Sequence, residues 1–312
     1  MELISQLVWG LAIVLTTQIK YKMAELRSNL QIYEKDGMRV VHEYFSSINQ
    51  MLNILEGRKN NEVMQNNHSS TQTGNREWSG TDSYEEAVKL LTCGYTDILD
   101  KLQLGIQKAT KSLKGIDFSN SHIIEDVQGA SPIVPNYLQG LPKTMCYRQS
   151  VPKKIKTINI IYSPCENCSS QPEEFIEAGV AILSAIRAIE KSNISIKLDC
   201  MFSDTISRKE AVIGIVRIKN YRDCLDLQKL CFPMAHPSML RRIGFKYIET
   251  APDMKEYEFT FGYGGSPSLE DLEGFLKLPE NTVLLNMKVV REKLECDPKK
   301  VIDYINEKVQ NR

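Results

Sequence analysis

Two rhythms of apolar residues alternate in the second half of the chain. Residues 155–162 (IKTINIIY) and 194–202 are short runs rich in β-branched side chains, with the length and composition of strands. Between them, residues 172–191 place Phe175, Ile176, Gly179, Val180, Leu183, Ile186 and Ile189 along one helical face. Strand, crossover helix and strand predict parallel pairing with a right-handed crossover. Residues 211–218 (AVIGIVRI) predict a third strand, and the short polar link at 207–210 permits only an antiparallel hairpin. Further on, the pattern predicts helix over 225–242, broken at Pro233 and Pro237, and a short extended piece at 257–261. A helix at 268–278, a buried strand at 282–286 and a closing helix at 298–309, opened by Pro298, complete the series. The expectation is an α/β fold: a mostly parallel sheet with one antiparallel edge strand, flanked by helices.

The first half predicts a mainly helical region. Residues 1–36 read as one helix-prone segment stopped at Asp36-Gly37, because glycine accepts the left-handed conformation that ends a helix. Residues 40–55 (VVHEYFSSINQMLNIL) predict a short strand, then a helix capped by Ser46 or Ser47. Residues 57–75 are rich in Asn, Gln, Ser and Thr and predict a flexible linker or exposed loop. In residues 78–95 (WSGTDSYEEAVKLLTCGY), Asp82 or Ser83 caps a helix, Gly94 ends it, and Ala87, Leu90 and Leu91 form its buried stripe. A second helix over 97–113, with Ile98, Leu102, Ile106 and Ala109 on one face, predicts a helical hairpin. Residues 116–150 carry Pro132, Pro135, Pro142, Gly129 and Gly140 and predict an irregular connector. The chain thus divides into a helical extension at 1–37, a mainly helical region at 38–150 and an α/β domain at 151–312.

Charge narrows the partners. Lys+Arg is 39 and Asp+Glu is 39, so no global positive field draws in nucleic acid. Basic clusters such as Lys143, Arg148, Lys153, Lys154 and Lys156 keep a nucleic-acid contact as an alternative that is not favoured. Of the 8 Cys, Cys93, Cys200 and Cys231 lie in apolar runs, the pattern of buried free thiols in a reducing cytoplasm. Residues 7–19 (LVWGLAIVLTTQI) are apolar, yet shorter than the roughly 20 residues a spanning helix needs. Glu2 and the lack of an Ala-x-Ala site argue against a secretory signal. A docked or oligomerising helix is expected there; membrane contact of residues 3–19, or an upstream extension before Met38, are the alternatives.

Candidate chemistry is sparse. Cys165 and Cys168 form a Cys-x-x-Cys turn after a strand, where a helix dipole can stabilise a thiolate. Glu166 between them raises thiol pKa, and residues 169–172 (SSQP) separate the pair from the helix. Zinc needs a second ligand pair, and none has suitable spacing. In residues 232–245 (FPMAHPSMLRRIGF), His236, Arg241 and Arg242 can meet an anion, although Met234, Met239, Leu240, Ile243 and Phe245 are core-type residues. Gly262, Gly264 and Gly265 precede a helix but lack the Lys-Ser/Thr of a phosphate loop. No Gly-x-Ser-x-Gly elbow occurs, and His42, His68, His122 and His236 lie in dissimilar settings.

The hairpin directly after the first crossover resembles a von Willebrand factor A-like domain. That family's cation site starts with Asp-x-Ser-x-Ser; Tyr162-Ser163-Pro164-Cys165-Glu166 stands here instead, so the resemblance carries over no metal ligand. No cofactor is expected. Residues 78–95, DVQGASPIVPNYLQGLPKTM, the strand–helix–strand at 155–202 and residues 232–245 together resemble a family of uncharacterised tailed-phage and prophage proteins, from about residue 38 onward. That resemblance implies the cytoplasm of a bacterial host, or a virion, and no reaction. The function expected is a non-enzymatic module that binds a phage or host protein at the loop end of the sheet, through Ser163, Glu166, Asn167, Ser169, His236, Arg241 and Arg242. An enzyme, by thiol–disulfide exchange at the Cys-x-x-Cys turn or as an anion-handling hydrolase, is the alternative.

Overall fold

The structure, a computed structural model, describes residues 29–64, 69–112, 121–150, 156–165, 169–192, 194–255 and 266–310. The expected apolar helix at 3–19 and the extended piece at 257–261 lie outside the described residues. Strands β1 (Asn29–Lys35) and β2 (Met38–Phe45) form an antiparallel hairpin, where a helix was expected to run to residue 36. Asp36 and Gly37 both adopt positive φ, at 53° and 77°. Two such residues in succession match the right-handed twist of paired strands, so Asp-Gly here turns a hairpin rather than ending a helix.

Helix α1 (Ile48–Gly57) follows, with the Ser47 hydroxyl accepting from Gln50 N at 3.2 Å. The short helix α2 (Arg76–Ser79) leads to α3 (Tyr84–Cys93), which is capped by Ser83, and then α4 (Leu99–Ser112). α3 packs on α7 (Leu227–Ala235), and α4 lies across α6 (Pro172–Glu190). They form an outer helical layer, not the expected hairpin of two helices. The expected irregular connector contains a small antiparallel sheet, β3 (Ser121–Asp126), β4 (Ser131–Pro132) and β5 (Met145–Ser150), in the order β3-β5-β4. The five-residue helix α5 (Val134–Leu138) joins β4 to β5.

The main sheet runs β1-β2-β8-β7-β6-β9, with β6 (Lys156–Ser163), β7 (Ile194–Ser207), β8 (Glu210–Lys219) and β9 (Thr282–Asn286). β7 and β9 pair parallel to β6, as does β2 to β8. β8 is antiparallel to β7, as its short link demanded, but lies inside the sheet because β2 and β1 extend it. β1 is the antiparallel edge.

The first sheet face carries Val41, Phe45, Ile160, Tyr162, Leu198, Phe202 and Val212 into the larger core, under α1, α6, α7 and α10 (Pro298–Gln310). The helix expected at 225–242 runs through Pro233 and breaks only before Pro237, so one of the two expected proline breaks occurs. α7 ends at Ala235, a π-helical turn spans Met239–Gly244, and α8 (Phe245–Glu249) completes the run. The second face buries Val40, Ile161, Met201, Ile213, Ile215 and Leu284 beneath α9 (Leu269–Phe275). Among the described residues, no helix is long and apolar enough to cross a membrane.

Candidate functional site

The π-helical turn carries Arg241 and Arg242, 1% and 2% exposed. Arg242 Nη1 donates to the carbonyls of Ser69, Ser70 and Gln72. Its Nη2 donates to Gly74 O at 2.8 Å, Thr81 O at 3.0 Å and the Ser79 hydroxyl at 3.1 Å. Arg241 donates to Trp78 O and to Ser170 O, and its guanidinium lies 4.2 Å from the Trp78 ring and 4.8 Å from the Phe175 ring. A buried guanidinium is costly without such donors' partners, and backbone carbonyls supply them here.

His236 is buried between Phe232, stacked at 4.7 Å, and the edge of Tyr95 at 4.8 Å. Its Nδ1 accepts from Ser238 N at 3.2 Å, and burial pushes its pKa down to about 4. Ser238 donates to Ser79 O and meets Thr81 Oγ1 at 2.9 Å. Gly80, at φ 84°, closes over the ring: a Cβ there would come within 2.7 Å of His236 Cε1. Residues 78–81 and 236–242 are therefore the two halves of one buried clasp. His236, Arg241 and Arg242 do not form the expected contact surface, because all three are buried and the Nη groups of both arginines and His236 Nδ1 are bonded within the fold, with Arg242 Nε left without a partner among the described residues.

Residues 57–75 were expected to form a flexible linker or exposed loop. Residues 71–73 are exposed, but the stretch is strapped down beside them: Ser70 N donates to Glu249 Oε1 at 2.9 Å, and Asn61 N to Glu249 O at 2.8 Å. Of the remaining expected contact residues, Ser163 is buried and accepts from Cys165 N at 3.3 Å, while Ser169 is exposed. Glu166, Asn167 and Cys168 lie outside the described residues. Cys165 is buried, with Sγ accepting from Ser203 N at 3.3 Å, and desolvation raises its pKa, the opposite of an activated thiol. Cys200 and Cys231 are buried free thiols as expected, whereas Cys93 is exposed.

Sequence reasoning missed a polar row on the second sheet face. It crosses five strands: Thr282 on β9, Asn159 on β6, Lys197 and Asp199 on β7, Arg217 on β8 and Tyr44 on β2. Asn159 Nδ2 donates to Thr282 Oγ1 at 3.2 Å, and the Tyr221 hydroxyl donates to Asn159 Oδ1. Lys197 Nζ pairs with Asp199 Oδ2 at 2.9 Å, and Arg217 Nε lies 3.9 Å from Asp199 Oδ1. Both cations converge on the Tyr44 ring, at 5.5 and 5.4 Å from its centre. Burial raises the Asp199 pKa against the pull of Lys197 and Arg217, and pushes Tyr44 up to about 12. Asp199 Oδ1, Arg217 Nε and the Tyr44 hydroxyl are buried with no hydrogen-bond partner among the described residues. The signal was present: Asn159, Lys197, Asp199 and Arg217 interrupt otherwise apolar strands at the two-residue period of one face.

A second surface feature lies on the small sheet. Val134, Tyr137 and Leu138 are 58%, 72% and 77% exposed, at i, i+3 and i+4 of α5, with exposed Val127 and Leu141 nearby in sequence. Among the described residues, no three His, Cys, Asp or Glu side chains gather closely enough to hold a metal ion.

No curated protein and no solved structure matches the chain. Residues 20–310 match a family described as a domain of unknown function, DUF7192. That span takes in residues 20–37, which the resemblance drawn from motifs placed outside the family unit, and it runs through both halves of the main sheet. With more than half its length matched, the chain belongs to the DUF7192 family.

Proposed function

We propose that the protein is a non-enzymatic protein-binding module of phage or mobile-element origin, built on a von Willebrand factor A-like sheet. The order β8-β7-β6-β9, with a hairpin after the first crossover and β9 on the far side of β6, supports the fold reading. The observation that carries the function is the apolar face of α5. Five of the eight large hydrophobic residues that are exposed among the described residues fall within residues 127–141. Such clustering marks interaction surfaces, whereas scattered exposed hydrophobics do not. Three side chains on one short helical face fall well below the roughly 800 Å² per partner of a stable interface. They fit a different protein with an apolar groove, in the manner of a helix-in-groove contact, rather than a second copy of this chain.

The test compares wild type with the Tyr137→Ser, Leu138→Ser double variant. Both residues are exposed, so the melting temperature should not move. The wild-type chain should run as a monomer by light scattering, and a partner it retains from its native cells should be lost by the variant. Equal recovery by both proteins would refute the surface. A wild-type dimer that the variant dissociates would replace the foreign partner with a second copy.

A further inference from the structure

We propose that Arg217 and Lys197, set over Tyr44 on the second sheet face, form a binding site for a monoanionic oxyanion, a group in which two oxygens share one charge. The site is independent of the α5 surface. Arg217 keeps 31% of its side chain exposed and Lys197 17%, while Asp199 between them is 3% exposed. The carboxylate is therefore more deeply buried than the two cations that flank it, and part of each cationic side chain remains open to solvent. Two cations against one carboxylate leave a local charge of +1, which one carboxylate or phosphodiester group would balance. Arg217 Nε and the neighbouring Tyr44 hydroxyl are buried polar atoms without a hydrogen-bond partner among the described residues, while the guanidinium faces Asp199 at 3.9 Å and interacts with Tyr44. A guanidinium presents parallel donors that match two oxygens sharing one charge. The alternative, solvated charge on a strand, does not account for two side chains from different strands converging on one aromatic ring.

The full chain would be titrated with sodium acetate and, separately, with sodium dimethyl phosphate, while the arginine Nε–H signals are followed by NMR. Arg217→Lys identifies the signal. A saturable shift of that signal is expected with at least one of the two, absent with sodium chloride at equal ionic strength; the tighter of the two names the source of the group. Lys197→Gln should weaken binding by about ten-fold, the order expected for loss of one charge-assisted contact. If that variant fails to fold, the Tyr44 ring signals of the wild-type chain give a second reading and should saturate at the same concentrations. A signal that follows ionic strength alone, or an affinity unchanged in folded Lys197→Gln, would overturn the site.

Discussion

His236 sits in a setting that makes it a stability element with a definite pH dependence. An imidazole in an unfolded chain titrates near 6.5. In the fold, desolvation holds it down at about 4, with Glu86 opposing weakly. The unfolded state therefore binds the proton more readily. The stability due to the neutral buried ring is complete above pH 6.5 and is lost as pH falls toward 4, by about 3 kcal/mol in all. Asp199 works in the opposite direction, since burial raises its carboxyl pKa and acid relieves that cost. The comparison that isolates the ring is wild type against His236→Asn, by urea unfolding from pH 7 to pH 4.5. The wild type should lose about 2–3 kcal/mol more than the variant over that range. Parallel losses would mean that the ring is not held neutral.

At the scale of elements, the π-helical turn Met239–Gly244 fastens a segment more than 150 residues away. Arg242 alone reaches the carbonyls of Ser69, Ser70, Gln72, Gly74 and Thr81. Replacing it with Met leaves those buried acceptors without their donor, at a cost of about 3–5 kcal/mol. Amide exchange over residues 69–82 should rise sharply, with the small sheet unchanged; unaltered protection over 69–82 would show that Arg242 does not anchor the segment. This strap also shows why half the architecture was legible in sequence and half was not. The β6–α6–β7 unit rests on local periodicity, and its two rhythms announce it. The strap's polar residues resemble a mobile loop because their partner is remote in sequence. Asp36-Gly37 suits both a helix end and a hairpin turn, and only pairing with β2 decides between them. The small sheet escaped notice because its strands are short and one is only two residues long. At the candidate site, the polar row had a readable period, but its convergence on Tyr44 depends on the order of β2, β8 and β7, which no local pattern encodes.

For the molecule as a whole, the composition shift near residue 150 does not coincide with an independent core. β2 pairs with β8 from Arg39 to Phe45, so residues 39–45 and 210–216 belong to one sheet. A fragment of residues 151–312 would lose Phe45, Met51, Leu52, Leu55 and Leu102, all buried in the larger core. Each such side chain contributes about 1.5–3 kcal/mol, so five of them match the roughly 5–15 kcal/mol net stability of a typical domain. The fragment would also expose the β8 edge to pairing with other chains and strip Arg242 of its carbonyl acceptors. The full chain should therefore unfold in one transition, coincident by far-ultraviolet circular dichroism and tryptophan fluorescence. The 151–312 fragment should aggregate or melt without cooperativity. A fragment that is monomeric and melts cooperatively would show that the two halves fold separately, and that the shared sheet forms by docking after each half is built.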